Sequence, residues 1–141
     1  DSLGCVYSVD LNNNMDSVAF GEFTYPPQLQ LSDLDLDNNY EYIFLDKTEL
    51  SVYNGASDLL FNEPFELNAE HGPIVRLVNN EIKVGVCSEK AEAIYLYDTK
   101  GVLHDGFPLY GNSAFEITSD EGQAKLITGV PGNYIYIYTL E

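Results

Sequence analysis

Basic residues are scarce in this sequence. Only 6 of its 141 residues are Lys or Arg, against 23 Asp and Glu, for a formal net charge of −17. Nucleic acid and anionic membrane surfaces are recognised through clustered cations that neutralise phosphates, so the composition argues against both. Metal cations or basic proteins fit better. The acidity is lopsided: residues 1–66 carry 13 acids and only Lys47, whereas residues 67–141 carry 10 acids and 5 bases. Cysteine is equally sparse. Cys5 and Cys87 form no CxxC and no metal-type spacing, which leaves two buried free thiols or one disulfide. No apolar run approaches the length of a membrane span, so no membrane insertion is expected. No charged-then-apolar signal segment is present either, and a chain that begins at Asp1 reads as a processed piece from which a targeting segment would have been removed.

Catalytic signatures are missing as well. There is no GxSxG, HExxH, Walker-type loop or GxGxxG, and no enzyme activity is expected. Paired carboxylates could serve a glycosidase, but among 23 acids some pair always meets such a spacing, so the pattern carries no information. His104 beside Asp105 could act as a general base with its orienting acid. The sequence "HDG" reads better as a solvated turn, and His71 next to Gly72 reads the same way. Helical patterns are rare. "SEKAEAIYLYD" opens with helix-friendly residues but ends in a period-two alternation that reads as a strand.

What the sequence does contain is strands and a repeat. "YEYIFL", "LSVY", "IKVGVC", "AIYLY", "KLITGV" and "YIYIY" are short runs of β-branched and aromatic residues set between Gly, Asn and Asp clusters. A shift of 44 residues lays Val6–Asp10 over Leu50–Asn54 and Ile94–Asp98, each a strand ending in Asp or Asn. The same shift carries Leu59 onto Leu103, Pro64 onto Pro108 and Asn68 onto Asn112. A slightly shortened copy, Ile135–Thr139, follows 41 residues later. The chain is thus predicted to be one all-β domain, 1–141, with a leading strand at 6–10 and units at about 11–54, 55–98 and 99–139. Each unit reads as four strands, near "LQL", "EYIFLD", "LSVYN" and "LFNEPFEL". That length and strand count match a propeller blade, giving about three blades, short of the usual minimum of four for a closed ring. Such an array would belong to a larger propeller or self-associate to complete one. A β-trefoil, with three four-stranded repeats closing within one chain, is the alternative fold.

The tyrosines fall into the same pattern. Tyr134, Tyr136 and Tyr138 share one strand face with Ile135 and Ile137 on the other, and Tyr95 and Tyr97 recur at equivalent places. Such a stripe could stack on sugar rings, but its recurrence favours a packing role.

The most concentrated charge lies in "DLDLDNNYEY", Asp33 to Tyr42, where three carboxylates alternate and a fourth follows. Like charges crowded this closely repel strongly. In a tight loop Asp33, Asp35, Asp37 and Glu41 can converge on one point, joined by the carbonyl of Asn39, and supply the hard oxygen ligands Ca²⁺ requires. A structural Ca²⁺ would offset the repulsion. An EF-hand is excluded, because positions 6 and 12 of such a loop would be Asn38 and Phe44 and the flanks read as strands. The competing reading makes "DLDLD" an edge strand or turn, with the acids in solvent and Leu34 and Leu36 in the core.

The pattern D-x-D-x-D-x-x-x-E running into a strand resembles the calcium loop of FG-GAP repeats, found in integrin α-subunit propellers and bacterial secreted propellers. "AIYLYDTKGVLHDGFPL", "GCVYSVD" and "GNYIYIYTL" resemble other segments of those repeats. Leu36 and Asn38 stand where that loop has glycines. "DLNNNMD" (10–16) has acids and amides in another register, and "LVNNEIK" and "TSDEGQAK" have lost most of the carboxylates. The resemblance implies a non-catalytic, extracytoplasmic module, secreted or at the cell surface, with one structural Ca²⁺ loop and protein or glycan partners. The rival class is an enzyme, or an enzyme accessory domain, acting on polysaccharide.

Overall fold

The computed structural model describes residues 3–141, and these form thirteen strands with no helix among them. The strands are β1 (Leu3–Val9), β2 (Met15–Glu22), β3 (Gln28–Ser32), β4 (Glu41–Leu45), β5 (Glu49–Tyr53), β6 (Leu59–Pro64) and β7 (His71–Val78), followed by β8 (Glu81–Ser88), β9 (Ala93–Tyr97), β10 (Leu109–Tyr110), β11 (Phe115–Asp120), β12 (Gln123–Val130) and β13 (Tyr134–Leu140). They make four small antiparallel sheets in chain order: the hairpin β1–β2, the meander β3–β6, the meander β7–β10 and the three-stranded β11–β13. Among the described residues no sheet closes on itself into the barrel that the trefoil alternative calls for. The segment "SEKAEA" is a turn leading into β9 rather than a helix.

The 44-residue repeat has a local cause. Asp10, Asn54 and Asp98 each end or follow a strand, and each turns its side chain back on its own backbone. One side-chain oxygen accepts the N–H groups two and four residues on: Asn12 and Asn14 for Asp10 (2.8 and 2.9 Å), Ala56 and Asp58 for Asn54 (3.0 and 2.9 Å), Lys100 and Val102 for Asp98 (both 2.8 Å). Residues Asn13, Ser57 and Gly101 complete the turns at φ of 61°, 62° and 84°. Short Asx side chains make such turns because they satisfy backbone donors that a strand ladder has released. The repeat boundaries read from sequence fall between the third and fourth strands of a sheet, so each sequence unit draws strands from two sheets.

The sheets stack, and their shared faces are the core. Leu50 and Val52 of β5 are fully buried against Val84, Val86 and Tyr97 of the following sheet. Ile94 and Leu96 of β9, one repeat later, are fully buried with Phe115, Ile117 and Leu126 of the sheet after that. The hairpin joins in the same way, with Val6, Val18 and Phe20 packed on Tyr42, Phe44 and Tyr53. The first strands adjoin: β3 and β4 lie against β7, and β7 against β11. A bidentate pair, Arg76 to Glu116 at 2.7 and 3.0 Å, crosses from β7 to β11, but it is solvated and contributes little.

Gly85 shows how tightly one sheet sits on the next. Strand registers make it the counterpart of Ile43 and Ile127, since it pairs with Leu96 where those pair with Val52 and Ile137. A Cβ at Gly85 would lie 2.8 Å from the Phe115 ring and 3.3 Å from Leu96, so the phenyl group occupies the space that a side chain takes in the other sheets. Overpacking of this kind costs about 1–3 kcal/mol. Gly85→Ala is therefore expected to lower the melting temperature by roughly 5–10 °C for a domain of this size, and an unchanged melting temperature by circular dichroism would refute the contact.

Candidate functional site

The acidic segment is a loop, residues 33–40, joining β3 to β4. Leu34 anchors it by burying its side chain in the first core cluster. Leu36 does not follow: it is exposed, contrary to the reading that places both leucines in the core, because the chain turns at that point instead of continuing as a strand. Leu36 and Asn38 have φ of 65° and 70°, the left-handed region that glycine takes without penalty. The loop takes these left-handed positions with an exposed leucine and an asparagine.

This folding gathers the acids. Carboxylate oxygens of Asp33, Asp35 and Asp37 all lie within 4.8 Å of one another. Loop N–H groups partly compensate them: Asp37 N donates to Asp33 Oδ1 (3.1 Å) and Asp35 Oδ1 (3.2 Å), and Asn38 N donates to Asp33 Oδ2 (2.9 Å). Asn39 donates to Asp37 twice, from its backbone N (2.7 Å) and from Nδ2 (3.0 Å), which together hold the Asp37 carboxyl below its ordinary range. Glu41, the first residue of β4, is buried, and its Oε2 accepts the Leu34 N–H at 2.6 Å. Burial pushes its carboxyl up, the Leu34 N–H opposes that, and the charges of Asp35, Asp37 and Asp33 push it further. Of the five predicted residues, three converge, Glu41 lies close enough to feel their charge, and Asn39 serves as a donor to Asp37. Asp35, Asp37, Asn39 and Glu41 also share a hollow of about 520 Å³ with Asn54, Gly55, Ala56 and Leu60. Sequence reasoning did not include this second wall, although Asn54 is one of the residues that the repeat singles out.

The other sheets treat the same place differently. The long loop is replaced by two-residue turns, Asn79–Asn80 (φ 50° and 67°) and Glu121–Gly122 (φ 49° and 80°), the geometry that closes tight hairpins. The strand registers that equate Ile43, Gly85 and Ile127 also equate Glu41 with Lys83 and Lys125. Lys83 is buried with its ammonium 2.7 Å from Glu81, and Lys125 donates to Thr139 Oγ1 at 2.9 Å. Where the acidic loop is present this position is a carboxylate, and where the loop is absent it is an ammonium. The signal was hidden from the 44-residue overlay because these strands are offset by 42 residues, not 44.

The remaining candidates make the following contacts within the fold. His104 packs edge-on against Phe107 in its turn. His71 is not simply solvated: its Nε2 lies 2.5 Å from Glu89 Oε1. Both cysteines are free, but Cys5 is exposed, correcting the expectation of two buried thiols, because it lies on the open face of the hairpin. Cys87 is buried near Glu70 and Glu89, and its thiol is pushed up to about 12. The tyrosine stripes face the preceding sheet: Tyr95 meets Phe65, and the Tyr138 hydroxyl donates to the Tyr110 carbonyl at 2.8 Å. No family model matches the chain, and no curated protein matches it.

Two outcomes follow from the loop geometry. Leu36→Gly relieves a left-handed leucine and removes little buried surface, and it is expected to stabilise the protein in chelator by up to about 1 kcal/mol, read by denaturant unfolding; a loss of stability would mean that Leu36 is held by packing. Glu41 has its carboxyl raised by the fold, so its protonated form is the one that folding favours. In chelator, Glu41's own contribution to stability is fully present below the ordinary carboxylate range and is lost as pH rises through the raised Glu41 value, while Asp37 and the other carboxyls held below their ordinary range contribute in the opposite sense. Glu41→Gln should flatten that decline and be more stable than the parent at neutral pH, whereas parallel pH profiles would contradict the assignment.

Proposed function

We propose that this chain is a non-catalytic binding or scaffold module, a run of propeller-type blades in which the loop at 33–41 takes a structural Ca²⁺. The observation that carries the metal reading is the convergence of Asp33, Asp35 and Asp37 above a buried Glu41 whose counterparts in the other sheets are lysines. The donor set fits the ion: carboxylate and amide oxygens are the hard ligands Ca²⁺ prefers, and four acids supply the charge. Asp33, Asp35 and Asp37 would hold it, with Glu41 and Asn39 lining a hollow that also takes in Asp35 and Asp37. Its contribution would be to cancel carboxylate repulsion and fix the loop, which is stability rather than chemistry. The resemblance of the loop to FG-GAP repeats points the same way.

The propeller reading is supported by the successive meanders and by first strands that adjoin as they would around an axis. By that resemblance the module works outside the cytoplasm, at a cell surface or secreted, on protein or glycan partners. Among the described residues no helix is long and apolar enough to cross a membrane. The second reading, a domain acting on polysaccharide, is distinguished by turnover: a glycan array paired with hydrolysis assays should give binding without product.

The metal reading is tested by calcium titration of melting temperature. An ion bound only by the folded state stabilises by about 2.7 kcal/mol at a hundredfold excess over its dissociation constant. The parent should therefore melt several degrees higher in calcium than in chelator, and Asp33→Ala with Asp35→Ala should abolish that difference. Equal melting temperatures for the parent in calcium and in chelator would refute the site.

A further inference from the structure

The two ends of the stack expose the two halves of its interior contact. In each sheet the third strand turns one face to the following sheet. Leu50 and Val52 in β5, and Ile94 and Leu96 in β9, are fully buried there. The same positions in β13 are Ile135 and Ile137, and they are 72% and 66% exposed. Lys125 lies on that face as well, at the position where Lys83 is buried. At the other end the hairpin presents the opposite face, the one that later sheets turn to the sheet before them. Its β1 residues Tyr7 and Val9 are the counterparts of Tyr95 and Tyr97, of which Tyr97 is buried against Leu50 and Val52. Tyr7 and Val9 are 62% and 57% exposed, and Met15, paired with Val9, is 67% exposed.

We propose that these faces are the two sides of one interface, through which copies of this chain stack head to tail, with Ile135 and Ile137 of one copy against Tyr7, Val9 and Met15 of the next. The occupant is a second copy because the chain itself carries the face that receives a third strand, and because the contact would repeat the part of the packing that sets Leu50 and Val52 against Tyr97. The side chains match in kind with the third-strand part of the interior contact, where Leu50 and Val52 meet Tyr97; the first- and second-strand partners of the interior contacts, Val84 and Val86 or Phe115, Ile117 and Leu126, have no counterpart in the two-stranded hairpin, and Met15 of β2 adds apolar surface beside Val9. The interface is heterologous, since each copy offers a different face at each end, so it propagates to a ring or a filament. The inference rests on reading the chain as a stack of like sheets and is independent of the calcium loop. Charge opposes it, because each copy carries a formal net charge of −17. Screening should therefore strengthen the association, the reverse of what salt does to a charge-driven contact.

Sedimentation velocity on the intact chain, over a range of protein concentration at low and high salt, tests this. The sedimentation coefficient is expected to rise with concentration, and to rise more in high salt. Ile137→Asp disables one face and Val9→Asp the other, and each alone should remain monomeric. Mixed together they should form a one-to-one dimer and nothing larger, because each retains the face that the other lacks. Ile135→Thr and Tyr7→Thr, which keep strand-forming side chains at exposed positions, should weaken association in the same paired way, and unchanged circular dichroism melting shows that folding is intact. A parent that stays monomeric throughout, a single variant that abolishes association while its opposite does not, or a mixture that stays monomeric overturns the proposal. The calcium-dependent melting of the same samples reports separately on the acidic loop, so failure of either idea is visible without the other.

Discussion

A four-stranded sheet of short strands has two faces and cannot bury either by itself. Everything in this molecule follows from solving that with a neighbour of the same kind. Leu50 and Val52 are fully buried only because Val84 and Val86 arrive from the next sheet, and Ile94 and Leu96 only because Phe115, Ile117 and Leu126 arrive from the one after. Stability in such an array is carried by the contacts between neighbouring units as much as by the units themselves. The molecule accordingly has several modest apolar clusters between sheets, and it leaves large apolar residues exposed on the terminal strands β1 and β13 as well as on β3, β6 and β7.

The acidic loop is where the stack departs from repetition. Two of the β-hairpins formed by first and second strands close with two residues, whereas the one between β3 and β4 spends eight. Those eight place three carboxylates together, hold Leu36 and Asn38 left-handed and bury a fourth acid beneath. Each of these features is unfavourable taken alone, and local violations of this kind tend to mark positions kept for a purpose other than folding. A cation bound there would remove the electrostatic part of the cost and leave the backbone part, so the proposed metal and the left-handed leucine are separable experimentally.

Much of the architecture was legible in the sequence because its signals are local. The strand-ending residues Asp10, Asn54 and Asp98 recur for a reason internal to each turn, so a simple shift of the sequence finds them. The strands near "LQL", "EYIFLD", "LSVYN" and "LFNEPFEL" were legible as β3 to β6 through their alternation and their flanking turns. Contacts between sheets were not. Gly85 looks like a weak point in a strand until Phe115 is seen to fill its place. The exchange of Glu41 for Lys83 and Lys125 depends on a register offset that the turn lengths alone decide. Asp33, Asp35 and Asp37 could be nominated as a group from spacing, but the burial of Glu41 and the wall at Asn54 required the neighbouring turn. Cys5 was misread because burial of a cysteine is set by which face of the hairpin it occupies and by whether a sheet covers that face.

The central claim, that one sheet packs face to face on the next, is tested most directly by a double-mutant cycle between strands of different sheets. Leu96 of β9 and Phe115 of β11 both approach the point above Gly85. Denaturant unfolding of Leu96→Val, Phe115→Leu and the double variant measures their coupling. Direct packing gives an interaction energy of at least about 0.5 kcal/mol, whereas additivity within about 0.3 kcal/mol would place the two side chains out of contact and contradict the stacked arrangement.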